Sequence, residues 1–296
     1  MSEKRELTDT RLSYSSYQTL KACEQKYYHY KIAGTPVDSD YNDEKDSLVM
    51  GKAFHSILEG LKHNQDATNE DIGPVIKMVQ EASNLDEDKM ALVVAMVIRF
   101  LNTKKRHPKF NELKPVAIEL AIADDTFLGY IDVVYADNSG NWYIGDLKTT
   151  SRHSETLQAR LEMDSQLNLY GAHSATIASQ LGLDHSKFSG FLYIATNKTT
   201  TKRKAGEGLS VYVNRLANAV TTRVYVVPAD NDKTHEIVTD FQKAYDRTMA
   251  LRNGEKPSKN LSRCEDYFSP CPYWSKCHGH NYTERKLEMW TNEEVI

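Results

Sequence analysis

Two short segments decide the fold: Gly129-Tyr-Ile-Asp132, and Ile144-Gly-Asp146-Leu-Lys148-Thr-Thr150. Apolar residues alternate with polar ones through both segments, which predicts two strands. The sequence Asp-Asn-Ser-Gly at positions 137–140 is typical of a hairpin turn between them. Because alternate side chains of a strand share a face, Asp146 and Lys148 point the same way. Asp132, on the neighbouring strand, is predicted to converge with Asp146.

This predicted hairpin carries the atoms of a metal site. Two carboxylates, from Asp132 and Asp146, and the backbone carbonyl of Leu147 form an oxygen-rich ligand set that suits Mg²⁺ or Mn²⁺. Lys148 beside such an ion is suited to orienting or deprotonating a water that attacks a phosphodiester. The alternative is an ordinary surface ion pair, since so short a pattern recurs by accident.

Around this hairpin the periodicity alternates between that of strands and that of helices, which predicts an α/β fold. The predicted strands are 116–123, 126–136, 142–149, 188–195 and 224–227. The predicted helices are 12–23, 47–62, 86–104, 165–181 and 230–252. Residues 64–74 are predicted to be a linker.

Further polar residues occupy positions from which they can reach the hairpin. His55 and Glu59 are four residues apart on one predicted helix, and Gln166 and Tyr170 are four apart on another, so each pair shares a face. Glu119 lies on the strand that precedes Asp132. Each of these side chains also has a purely structural interpretation.

The bulk composition is that of a folded globular chain. Its 296 residues are 40% hydrophobic and 26% charged, with a formal net charge of −4. That charge argues weakly against nucleic-acid binding by the whole surface, although a basic groove can coexist with an acidic exterior. No apolar run reaches the ~18 residues of a transmembrane helix, and the polar start does not resemble a secretory signal. We therefore expect a cytoplasmic protein without a membrane partner.

Four cysteines form a one-plus-three arrangement: Cys23, then Cys264, Cys271 and Cys277. Cytosolic thiols stay reduced, so cysteines at close spacing point to a metal site. Four thiolates suit a [4Fe–4S] cluster or a tetrahedral zinc ion. Zinc ligands usually come as two close pairs, which favours the cluster, while His278 and His280 keep a mixed Cys/His zinc site open.

The ordered motifs resemble the RecB-type exonuclease branch of the PD-(D/E)xK nuclease superfamily. They are Gly51-Lys-Ala-Phe-His55, Glu119, Gly129-Tyr-Ile-Asp132, Asp146-Leu-Lys148 and Gln166-Leu-Asn-Leu-Tyr170. The resemblance implies a restriction-endonuclease-like mixed sheet flanked by helices. It makes His55, Asp132 and Asp146 metal ligands, Lys148 the catalytic lysine and Glu119 a supporting carboxylate, and it places Gln166 and Tyr170 against DNA. The proline that often precedes the first aspartate is Ile131 here.

The cysteine spacing resembles the iron–sulfur staple of several RecB-type nucleases, including the AddB subunit and the nucleases of CRISPR adaptation. The departure is the gap from Cys264 to Cys271, which is longer than in that motif. The resemblance divides the chain into an N-terminal segment, residues 1–46, a nuclease core, 47–256, and a cluster-binding segment, 257–296. The termini would together form the iron–sulfur lobe.

The function implied is metal-dependent hydrolysis of phosphodiester bonds at DNA ends, in recombination, repair or replication. The substrate would be single-stranded DNA or DNA ends, with a recombinase or helicase as partner. A chain of this size also resembles phage-encoded nucleases, which would act in the host cytoplasm. The basic residues Lys198, Lys202, Arg203 and Lys204 either contact phosphates or belong to a solvated loop. The rival functions are a non-catalytic iron–sulfur module that positions DNA for a partner, and a zinc-stapled RNA-processing protein.

Overall fold

The computed structural model describes residues 9–38, 46–151, 157–266 and 269–279. The chain forms two compact units. The larger is continuous, Glu44–Asp240, and the smaller combines Met1–Asp43 with Phe241–Ile296. Within the described residues no helix is both long and apolar enough to cross a membrane.

The larger unit alternates helices and strands. Its helices are α3 (Asp46–Gly60), α4 (Asn69–Ser83), α5 (Glu87–Arg106), α6 (Pro108–Glu112), α7 (Leu157–Leu161), α8 (Ser165–Ala172), α9 (Ser174–Leu181), α10 (Leu209–Ala219) and the first part of α11 (Asn231–Arg252). Its strands are β1 (Lys114–Ala123), β2 (Leu128–Ala136), β3 (Trp142–Thr150), β4 (Phe188–Asn197) and β5 (Thr222–Val227).

The five strands form one mixed sheet in the order β1-β2-β3-β4-β5. The pairs β1–β2, β2–β3 and β4–β5 are antiparallel, whereas β3 and β4 are parallel. The parallel pair requires a crossover, which α7, α8 and α9 supply. The predicted mixed α/β fold, with a sheet flanked by helices, is confirmed.

The core lies between the sheet and the long helices α3 and α5. Phe54, Ile57 and Leu58 recur at helical spacing on α3 and are at most 1% exposed, as is Phe100 of α5. They pack in one cluster with sheet residues that include Leu147. Because the neighbours of Leu147 on β3 belong to the candidate site, this packing holds the site against a rigid base.

Two predicted elements differ from the structure. Residues 69–74 of the predicted linker, 64–74, belong to α4, which begins with a capping box between Thr68 and Asp71 and contains Pro74. The capping box and an apolar side that packs against the core stabilise the helix despite Pro74. The predicted helix 165–181 is interrupted at His173, which has φ −96° and ψ 9°, so that α8 and α9 run in sequence.

The smaller unit joins the two ends of the chain. It contains α1 (Tyr14–Ala22), α2 (Glu24–Tyr27) with a π-helical turn at Tyr28–Ile32, the rest of α11, the short strands β6 (Glu265–Asp266) and β7 (Ser269–Pro270), and α12 (Trp274–His278). Arg247 donates to both carboxylate oxygens of Glu24, at 2.9 and 2.8 Å. The Ser275 amide donates to Asp38 at 2.8 Å. These contacts connect the N-terminal segment to the C-terminal one.

Candidate active site

The centre of the candidate site is the junction of β2 and β3. Val133 pairs with Gly145, so Asp132 and Asp146 lie next to each other just beyond this pair. The Leu147 amide donates to Asp132 Oδ2 at 2.7 Å. A side-chain oxygen of β2, rather than a backbone carbonyl, therefore accepts this hydrogen bond from β3. A residue's N–H and C=O lie on the same edge of an extended strand. The Leu147 carbonyl therefore faces the Asp132 side, as expected for a metal ligand.

Three predicted residues come together as a ligand group. The group consists of one potential ligand atom from each of three residues, and these atoms lie within 4.8 Å of one another: His55, Glu119 and Asp132. His55 Nδ1 is 3.8 Å from Asp132 Oδ1. An imidazole nitrogen and two carboxylates suit a divalent ion such as Mn²⁺ or Mg²⁺. Asp146 is not in this group of atoms and pairs with Lys148.

Glu119 reaches this group through an unusual backbone conformation. Its neighbours Ile118 and Leu120 pair with Val133 and Ile131, which places Glu119 opposite Asp132. Its φ is +48°, in the left-handed region that costs a non-glycine residue about 1–2 kcal/mol. Such strain in a β-strand often marks a functional position.

The carboxylates of this group repel one another in the absence of a cation. Partial burial, together with the Asp132 and Glu59 carboxylates, raises the pKa of Glu119 to about 7. A bound divalent ion would remove that repulsion and favour the ionised form. The donor set and its electrostatics therefore fit a metal ion.

Asp146, which is buried, forms an ion pair with the partly exposed Lys148. Lys148 Nζ is 2.8 Å from Asp146 Oδ1, and Asp146 is 3% exposed. Burial raises the pKa of Asp146 although the Lys148 ammonium opposes the shift. Burial lowers the pKa of Lys148, but the Asp146 and Asp132 carboxylates outweigh it and leave the pKa above its usual range. The two carboxylates thus favour the protonated, positively charged form of Lys148 when no metal ion is bound.

A chain of hydrogen bonds holds the Lys148 ammonium in place. Lys148 Nζ donates to Gln166 Oε1 at 3.2 Å, and Gln166 Nε2 donates to Tyr170 Oη at 3.1 Å. The Tyr170 hydroxyl donates to the Tyr130 carbonyl at 2.8 Å. Tyr170, which was expected with Gln166 on the DNA side of the site, is 5% exposed in this structure. Gln166 and Tyr170 together connect Lys148 to the backbone of β2 through these hydrogen bonds.

The basic loop separates into two kinds of residue. Lys198 Nζ donates to the Ser47 carbonyl at 2.9 Å, and Arg203 forms ion pairs with Glu87 and Asp88 of α5. The side chains of Lys202 and Lys204 are exposed. Lys198 and Arg203 therefore hold the loop, and the other two lysines can reach a phosphate.

Two residues near the site, Glu59 and Tyr130, were given no role from the sequence. Glu59 contributes to the raised pKa of Glu119, and its spacing of four from His55 was the available signal. Tyr130 precedes Asp132 by two residues on β2 and is 49% exposed. Strand alternation was the signal for Tyr130, because it places the ring on the Asp132 face.

The four cysteines surround one pocket in the smaller unit. Cys23, Cys264, Cys271 and Cys277 line it together with Trp274 and His278. His278 Nε2 is 3.6 Å from Cys264 Sγ, whereas His280 is outside the described residues. Burial raises the pKa values of Cys264, Cys271 and Cys277. Such thiols stay protonated unless a metal supplies positive charge.

Comparisons with known proteins show the family of the chain and a solved structure of similar fold. The family model of the PD-(D/E)XK nuclease superfamily matches residues 11–278. The crystal structure of a candidate exonuclease from Eubacterium rectale is similar in fold, with a TM-score of 0.53 and 14% sequence identity, over 99% of this chain and 95% of that chain. No curated protein matches the chain. Since the family model spans well over half of its length, the chain belongs to the PD-(D/E)XK nuclease superfamily.

Proposed function

We propose that this nuclease is a divalent-metal-dependent exonuclease that hydrolyses phosphodiester bonds at DNA ends, during recombination, repair or replication. The observation that carries the proposal is the convergence of His55, Glu119 and Asp132 beside the Asp146–Lys148 pair. The fold similarity to a candidate exonuclease supports action at ends. Activity beside a recombinase or helicase in the cytoplasm is part of the same proposal.

The residues divide into metal ligands and a charge-stabilising lysine. His55, Glu119 and Asp132 would hold the ion, with the Leu147 carbonyl and Asp146 completing its surroundings. A divalent cation bound there would act as a Lewis acid on the phosphodiester and promote ionisation of the attacking water. Lys148, which is oriented by Asp146 and Gln166, has a third N–H that can donate to the water or to a phosphate oxygen. Its positive charge would stabilise the transition state.

The basic loop supplies the candidate DNA contact. Lys202 and Lys204 would neutralise backbone phosphates, while Lys198 and Arg203 maintain the loop conformation. Contacts of this kind give affinity without sequence specificity, which suits an enzyme that digests DNA from its ends.

The test is DNA digestion by the purified full chain. End-labelled linear DNA, single- and double-stranded, and closed circular DNA would be incubated with Mg²⁺, Mn²⁺ or EDTA. We expect metal-dependent degradation of linear DNA only. Lys148→Ala should lower kcat at least 100-fold, consistent with loss of a transition-state contact. The control is Lys109→Ala, an exposed lysine of α6, which should retain activity.

The alternative function is a non-catalytic module that positions DNA for a partner. If the wild-type chain bound DNA but released no nucleotides with either metal, the exonuclease proposal would be wrong and this alternative would stand. Cleavage of circular DNA as fast as linear DNA would instead identify an endonuclease.

For the cysteine pocket we propose a structural [4Fe–4S] cluster held by Cys23, Cys264, Cys271 and Cys277. The four cysteines line one pocket, which is the placement that a shared metal centre requires. Zinc ligands usually come as two close pairs, so the one-plus-three arrangement favours a cluster of several irons over a single zinc. Cys23 precedes the other three by more than 200 residues, so the cluster would close a long segment and contribute directly to folding.

The cluster proposal is tested by anaerobic purification with visible absorption and metal analysis. We expect a brown protein that absorbs near ~400 nm, with about four irons per chain. Cys271→Ser should abolish the brown colour and lower the Tm. Leu261→Ala changes an exposed residue of the same pocket and should retain the colour and the wild-type Tm. A colourless wild-type protein with one zinc would contradict the cluster and leave the nuclease proposal unaffected.

A further inference from the structure

Beyond the Val133–Gly145 pair the β1–β2 hairpin is no longer paired with β3, and it carries an exposed aromatic ring. Along β2, backbone pairing with β3 begins only at Val133. Pairing with β1 covers the preceding residues as well, back to Leu128. Along β2, Tyr130 and Asp132 share a face and are about 7 Å apart. The ring of Tyr130 therefore lies on the face that presents the metal-ligand group, next to that group.

The opposite strand leaves this ring accessible. Ala121 pairs with Tyr130, and directly opposite side chains lie on the same face of an antiparallel pair. Ala121 is itself exposed and has only a methyl group, so it cannot cover the ring. Glu119 occupies the equivalent position opposite Asp132. The hairpin face is thus a shallow surface with a ligand group at one end and an aromatic ring beside it.

The backbone beneath the ring is fixed. The Tyr170 hydroxyl donates to the Tyr130 carbonyl at 2.8 Å, and this bond ends the chain that starts at Lys148. Gly129 faces the other side of the hairpin, where a Cβ atom would collide with the Phe127 ring and approach Tyr170 Cε1 to 3.1 Å. Ile131, which also faces that side, is fully buried. An exposed ring on so rigid a base loses little freedom when it binds a ligand.

We propose that Tyr130 stacks on an unpaired base next to the scissile phosphate, so that the enzyme acts on single-stranded DNA termini. The inference rests on the proposed nuclease function and specifies its substrate class. Every base has a π face, so stacking holds a strand without sequence preference. A base in a duplex is already stacked on its neighbours and is not available to the ring.

Steady-state kinetics on single-stranded oligonucleotides test this assignment. Tyr130→Ala should raise KM roughly 5- to 100-fold, the range that loss of one base–aromatic stack implies, and should change kcat much less. Tyr130→Phe keeps the ring and should retain the wild-type KM. Val226→Ala, which alters a residue of β5 that is 64% exposed, is the control for loss of exposed apolar area.

A second substrate separates stacking from a structural effect. An oligonucleotide with abasic sites at its two terminal positions should raise the KM of wild type by a similar factor and leave that of Tyr130→Ala unchanged. A wild-type KM equal to that of Tyr130→Ala on the normal oligonucleotide would overturn the inference while the nuclease function stands. If wild type degraded no DNA at all, the proposed function itself would fail.

Discussion

A buried histidine makes the stability of the larger unit depend on pH in a calculable way. His63 follows α3 and is 3% exposed, and its Nδ1 is 3.0 Å from the Tyr135 hydroxyl. Burial lowers the pKa of His63 to about 3 from its usual 6.5, with further contributions from His55 and Lys104. The folded chain therefore holds this imidazole neutral where the unfolded chain protonates it.

The sign and size of the effect follow from linkage. Between pH 6.5 and about 3 the unfolded state binds one more proton than the folded state, so acid destabilises the fold. The contribution of His63 is complete above pH 6.5 and decreases as the pH falls. One pKa unit corresponds to ~1.4 kcal/mol, so the step from pH 7.5 to 5.0 should cost about 2 kcal/mol through His63 alone.

The matched variant is His63→Asn, measured by urea unfolding with circular dichroism. His63 has φ +51°, a conformation that asparagine tolerates, and an amide can still bond to the Tyr135 hydroxyl. We expect the variant to lose about 2 kcal/mol less than wild type between pH 7.5 and 5.0. Replacing the exposed His235 by Asn should preserve the wild-type pH dependence. Identical pH dependence in His63→Asn and wild type would refute the reasoning.

Three further predictions concern the site and the sheet. Tyr170→Phe removes the hydroxyl that connects Gln166 to β2, so kcat should fall about tenfold with little loss of stability at pH 7.5. An unchanged kcat would show that this chain of hydrogen bonds does not position Lys148. Gly190→Ala should cost more than 2 kcal/mol in urea unfolding, because φ is +99° and a Cβ would collide with a β5 carbonyl, whereas Gly182→Ala, with φ +65° and open space, should cost about 1 kcal/mol. Glu119→Gln should raise the Mn²⁺ concentration needed for half-maximal cleavage about tenfold or more, and an unchanged metal titration would exclude Glu119 as a ligand.

Most of the fold could be predicted from local pattern. The period of two identified all five strands of the sheet, and the turn at 137–140 placed β2 beside β3. Helix α4 was missed, although its capping box and its core-facing apolar side stabilise it despite Pro74. The interruption at His173 was equally invisible, since residues 165–181 keep a helical composition throughout.

Part of the candidate site could also be predicted from local pattern. Strand alternation alone placed Asp146 and Lys148 on one face, and the structure shows them in contact at 2.8 Å. Strand alternation did not show which residues complete the ligand group. His55, Asp132 and Asp146 were the expected ligands with Glu119 as a supporting carboxylate, and in the structure it is a Glu119 oxygen that lies within 4.8 Å of the His55 and Asp132 ligand atoms.

The sequence by itself determined the sheet, the motif order and the residue types of the site, because these depend on periodicity and on the chemistry of nearby positions. Only the tertiary structure decided that Tyr170 is buried against β2 and that Tyr130 is exposed beside the metal ligands. It also decided that Lys198 and Arg203 bond within the protein. Those outcomes depend on contacts between residues 40 to 151 positions apart, and the competition among such contacts is settled by packing rather than by local pattern.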